Sequence, residues 1–119
     1  MIRDWLTSRL TDLGFGSIRQ VSTGYEALVT FHEFNPELVI LDTTLPDHDG
    51  VKVLSRIKGS SSTTTVLMLG HVFEKQTIDS CEKLGAEACL RKPDDLYALL
   101  TFIQQRVRSG NPAECQLAA

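Results

Sequence analysis

The sequence predicts an α/β domain, a doubly wound parallel sheet with helices on both faces. Three observations predict it. Short apolar runs alternate with amphipathic segments of helical period, and that alternation implies right-handed crossovers and a parallel sheet. One run, Leu38-Val39-Ile40-Leu41, is continuously apolar and bounded by turn formers, as suits a strand buried on both faces. The chain has 119 residues, 42% hydrophobic and 23% charged, which is a balance for one domain with a single core.

The elements follow in order. Apolar residues at 2, 5, 6, 10 and 13 form a helical stripe that Gly14 would stop. Ile18 and Val21 alternate in a brief strand over 17–21. Thr23 and Glu26 have capping-box spacing before a helix carrying Tyr25, Leu28, Val29 and Phe31. That helix must end before Asn35-Pro36, because the residue preceding a proline avoids helical geometry. The 38–41 strand stops on Asp42. A loop through Gly50 then leads to a third helix on Val51, Leu54 and Ile57, closed by Gly59.

Thr65 to Leu69 is a further strand, broken by Gly70. Ile78, Cys81 and Leu84 space a fourth helix that Gly85 stops. Ala88-Cys89-Leu90 is a minimal strand ending at Arg91-Lys92-Pro93. Asp94 or Asp95 can cap the last helix, with its stripe at Leu96, Leu99, Leu100, Ile103 and Val107. The domain is expected to span 1–108. From 109 to 119 the composition turns small and polar, and a flexible tail is expected. The predicted order is thus five helices and four strands, and it opens on a helix.

Several function classes recede on composition. Net charge is −3 and the basic residues are scattered, so there is no nucleic-acid footprint. No apolar run approaches the roughly 20 residues of a membrane span. Asp4, Trp5 and Thr7 interrupt any signal-peptide layout, and the cytoplasm is the expected compartment. Cys81, Cys89 and Cys115 are an odd count without a Cys-x-x-Cys pair, which suggests neither a disulfide framework nor a zinc site. His32 and His71 read as structural, Asp47-His48-Asp49 as a solvated turn, and Cys81 as a small buried thiol.

The candidate site is Asp42, at the carboxyl end of a buried strand, where open α/β sheets place their ligands. With it stand Pro46, Asp49-Gly50 and, downstream of a short strand, Lys92-Pro93. In this frame the chain resembles the receiver domain of bacterial two-component response regulators, from about Ile2 to Val107. The resemblance implies a flavodoxin-like sheet of order 2-1-3-4-5. It implies Asp42 as phosphoacceptor, Lys92 as the phosphoryl-pairing lysine with a cis peptide before Pro93, and a Thr44 backbone carbonyl on Mg2+. Pro46, Asp49 and Gly50 would shape the loop. A sensor histidine kinase or phosphotransfer protein would be the phosphoryl donor, and a downstream protein would dock on the face drawn from 74–107.

Three departures accompany the match. The family's first strand, which ends in two acidic magnesium ligands, is absent, Met1 falling just inside the first helix. The hydroxyl that bonds the phosphoryl group aligns with Gly70, and the switch aromatic aligns with Cys89. Mg2+ is therefore expected to bind weakly, because Asp42 and one carbonyl are few ligands for a hard octahedral ion. Phosphorylation is expected to be impaired, with signalling by protein contact. The alternative is a competent acceptor whose missing acids come from upstream residues or a partner chain. The vacated central position leaves two open strand edges, with three outcomes. Strand 2 shifts to pair with strand 3, a second copy fills the gap by swapping or edge pairing, or the true start lies upstream; self-association is the favoured one. An enzyme is not expected. A dehalogenase-type phosphatase needs a second aspartate where Thr44 stands, and a flavin or nucleotide carrier needs a phosphate-cradling loop that is missing.

Overall fold

The computed structural model describes residues 2–12, 17–43, 45, 47, 50–61, 63–70, 74–91, 96–107 and 114–118. Its elements are α1 (Ile2–Asp12), β1 (Ser17–Val21), α2 (Gly24–Phe34), β2 (Leu38–Asp42), α3 (Gly50–Ser60), β3 (Thr65–Gly70), α4 (Lys75–Leu84), β4 (Ala88–Arg91), α5 (Leu96–Val107) and β5 (Glu114–Ala118). All neighbouring strands pair in parallel, in the order β1-β5-β2-β3-β4.

Local chemistry sets the helix ends. Thr23 caps α2: its Oγ1 accepts from the Glu26 N–H at 3.0 Å and donates to Glu26 Oε1 at 3.2 Å, so the predicted pair does meet. Asn35 closes α2 in the left-handed region at φ 51°, a conformation asparagine tolerates better than most residues. Gly85 closes α4 in the same way at φ 104°. The helix stop expected at Gly59 is not one. α3 runs through it to Ser60, and a Cβ on Gly59 would meet nothing within 4 Å, so the glycine there answers no backbone demand.

Alternation along the strands builds two cores. Val21, Val39, Leu41, Val66 and Met68 face α2, α3 and α4, packing on Ala27, Phe31, Val53, Leu54, Ile57 and Cys81. Leu38, Ile40, Leu67 and Leu69 face the other way, onto Leu10 of α1 and Leu99 and Ile103 of α5. β2 is buried along its whole length, as its unbroken apolar run predicts. Each fully buried Leu or Ile side chain contributes about 1.5–3 kcal/mol, so these two layers supply the main driving force.

The chain's carboxyl end departs from expectation. Residues 114–118 are not a flexible tail but the central strand, paired with β1 from Ser17↔Glu114 to Val21↔Ala118 and with β2 from Leu38↔Cys115 to Leu41↔Ala118. The sheet therefore has five strands rather than four, and the gap expected to recruit a second copy is closed from within the chain. The physical reason is the demand of the gap itself. Two facing rows of unpaired backbone groups in a buried position are costly, and any extended segment that reaches them relieves that cost.

The topology permits it. The chain advances from β1 to β2, β3 and β4 with its crossover helices on one face. α5 lies on the opposite face and returns the chain past β3 and β2 into the gap. Reversing both direction and face keeps the crossover hand the same.

Candidate functional site

The site lies at the carboxyl edge of the sheet. Asp42 ends β2 in register with Leu69 and is 8% exposed. Its main chain is clamped on two sides. The Thr43 N–H donates to the Leu69 carbonyl at 2.8 Å, and the Gly50 N–H at the start of α3 donates to the Thr43 carbonyl at 3.0 Å. That approach explains Gly50. A Cβ there would collide with the Asp42 carbonyl oxygen and stand 2.7 Å from Thr43 Cα, and both are backbone atoms that cannot swing away. The Asp-Gly signal in the sequence is thus a packing requirement that seats the amino end of α3 against the acceptor strand.

Asp47 lies in a loop whose sequence predicts a solvated turn, and the structure gives it a task. Its Oδ1 accepts from the Gly24 N–H at 2.6 Å and its Oδ2 from the Tyr25 N–H at 3.0 Å. The carboxylate thereby fastens the loop after Asp42 to the amino end of α2, where N–H groups lack helical partners and the helix dipole favours negative charge. No sequence signal reveals this, because the partners lie more than twenty residues apart.

Around Asp42, Gly70 ends β3, buried and paired with Arg91. It supplies no hydroxyl. Cys89 on β4 is half-buried beside Cys81 of α4, and neither is in a disulfide. Burial first, then contact with Cys81, pushes the Cys89 thiol up to about 12 from its ordinary 9.0. It is protonated at neutral pH, opposite to what a thiolate-based sensor needs. Thr44, Pro46, Asp49, Lys92 and Pro93, like His48 and His71, lie outside the described residues.

The central strand supplies backbone pairing but no acid beside the site. β5 runs parallel to β2, so its carboxyl end, Leu117-Ala118, is the end beside the site, and neither residue is acidic. Its one acid, Glu114, is at the far end, in register with Ser17. Among the described residues no group of three or more metal-capable side chains converges. A single carboxylate does not fit a tight magnesium site, which needs near-octahedral oxygen ligation.

The comparisons with known proteins agree with this architecture. Residues 1–104 match the response regulator receiver domain family. The chain belongs to that family, and its class is that of two-component signal receivers. It is 26% identical over 107 residues to the chemotaxis protein CheY of Listeria monocytogenes, covering 90% of both chains. It is also 33% identical over 87 residues to a putative transcriptional regulator of Pseudomonas aeruginosa, covering 73% of this chain and 42% of that protein. The chain thus spans less than half of that relative's length.

Two solved structures carry the fold. One is the signal receiver domain of a DNA binding response regulator from Colwellia psychrerythraea 34H, with TM-score 0.79, 28% identity and 87% of each chain covered. The other is the CheX-CheY complex with BeF3 and magnesium from Borrelia burgdorferi, with TM-score 0.78, 29% identity, and 88% of this chain and 80% of that one covered. The flavodoxin-like receiver fold expected from sequence is therefore the fold of this chain. No helix among the described residues is long and apolar enough to cross a membrane.

Proposed function

We propose that this receiver works through protein contacts in the cytoplasm, with Asp42 at the phosphoacceptor position and its phosphorylation impaired. The donor set at the carboxyl edge supports this: among the described residues one buried carboxylate, a glycine at the hydroxyl position and a thiol at the aromatic position. An acyl phosphate forms on a carboxylate only when positive groups neutralise the charge that develops. Lys92 is the cation assigned to that work, beside Pro93, with Pro46, Asp49 and Gly50 shaping the loop. Mg2+ on Asp42 and the Thr44 carbonyl is weak in this reading. The chain accepts or mimics a signal and turns over no substrate.

The partner face is α4, β4 and α5, within 74–107. Tyr97 supports it: the side chain is 76% exposed and packs edge-on to Trp5 at 5.8 Å between ring centroids. Exposed aromatic residues are enriched where proteins dock. The donor on this reading is a sensor histidine kinase or phosphotransfer protein.

Intact mass after incubation with acetyl phosphate and Mg2+ tests it, with Asp42→Asn alongside. The expected result is no phosphoryl adduct on either chain. An adduct on the parent and none on the variant overturns the reading and favours a competent acceptor whose acidic ligands come from upstream residues or a partner chain.

A further inference from the structure

The closing of the sheet by β5 has a consequence for how two copies of this chain meet. Among the described residues β5 is the sole strand neighbour of β1. Withdrawal of 114–118 therefore detaches β1 and opens β2 at once. The slot demands a strand strongly, yet its occupant is a poor one. Glu and Ala are depleted in strands. Gln116 is fully buried among the apolar residues beneath α2, where its Nε2 donates to the Ala27 carbonyl at 2.8 Å and its Oε1 has no partner. A buried carbonyl without a hydrogen bond costs free energy that an apolar side chain would not.

The slot also holds its strand by a parallel main-chain ladder on both edges. A ladder does not distinguish between copies of the same segment. β5 is joined to α5 through Arg108-Ser109-Gly110-Asn111-Pro112-Ala113, a segment rich in turn formers. We propose that 114–118 is an exchangeable strand, which two copies of this chain trade so that each fills the slot between β1 and β2 of the other. The exchanged pair reproduces the contacts of the closed monomer, so the balance depends on concentration and on the connection at 108–113. The partner copy would then supply the strand that flanks Asp42.

The experiment uses the full chain at rising concentration, as an equal mixture of isotopically light and heavy protein, read by light scattering and native mass spectrometry. A short connection gives an effective concentration on the order of millimolar, so mixed-mass dimers are expected as the protein approaches that range. Deleting Gly110–Pro112 hinders closure within one chain and is expected to lower the midpoint by about tenfold or more. Amide exchange on the dimer fraction shows whether the slots are filled, because exchange of strands keeps 17–21 and 38–42 protected. Exchanged dimers separate on dilution only at the rate of unfolding, whereas docked closed chains separate at once and overturn the proposal. A chain that stays monomeric to millimolar overturns the proposal, as does a dimer whose 17–21 amides have lost protection. Should the deletion variant fail to fold, the mixed-mass dimers of the parent and their rate of separation on dilution decide.

Discussion

At the scale of single residues, three positions are set by what surrounds them. Gly50 is fixed by backbone atoms of Asp42 and Thr43, so Gly50→Ala forces β2 and α3 apart. Overpacking of this kind costs about 1–3 kcal/mol, and urea unfolding should show the midpoint falling accordingly. Gln116 is a contest between one hydrogen bond, about 0.5–1.5 kcal/mol, and one unsatisfied buried carbonyl, about 1–3 kcal/mol. The second is larger. Gln116→Met should therefore leave stability unchanged or raise it by about 1 kcal/mol, and a clear loss would show that the bond to Ala27 dominates. Cys89 is a proton-linked site. Its folded-state pKa of about 12 lies above the ordinary 9.0, so the unfolded chain gives up the proton first as pH rises. Its contribution to stability is whole below pH 9.0 and is lost between there and about 12. Melting temperatures across that window should fall more steeply in the parent than in Cys89→Ala.

At the scale of elements, the loop after Asp42 and the start of α2 form one unit through Asp47. Asp47→Ala removes a carboxylate from a helix amino end and should cost about 1 kcal/mol, with amide exchange quickening at Gly24 and Tyr25 before the rest of α2. β1 and β5 form a second unit. Because β1 reaches the sheet through β5, native-state hydrogen exchange should show the two opening together at a lower free energy than β2, β3 and β4. Separate opening, with β1 outlasting β5, would mean that α2 and α1 hold β1 without help from the ladder.

At the scale of the whole molecule, the helix–strand alternation, the buried β2 and the place of Asp42 at its end were all legible in the sequence. Each rests on local signals: apolar period, turn formers, caps and the Asp-Gly spacing. The family resemblance followed from the same residues, and residues 1–104 bear it out. Two things were not legible. Asp47 finds its partners on α2, across a separation that no local pattern spans. Glu114-Cys115-Gln116-Leu117-Ala118 has no strand propensity to announce it, and its composition reads as a tail. It is a strand because β1 and β2 each present an unpaired edge to the same buried space and α5 delivers the chain there on the face that keeps the crossover right-handed. Sequence by itself determined which segments bury their side chains. Only the tertiary structure decided which segment would complete the backbone ladder between them, because that choice answers to the neighbours' unpaired groups rather than to the segment's own residues.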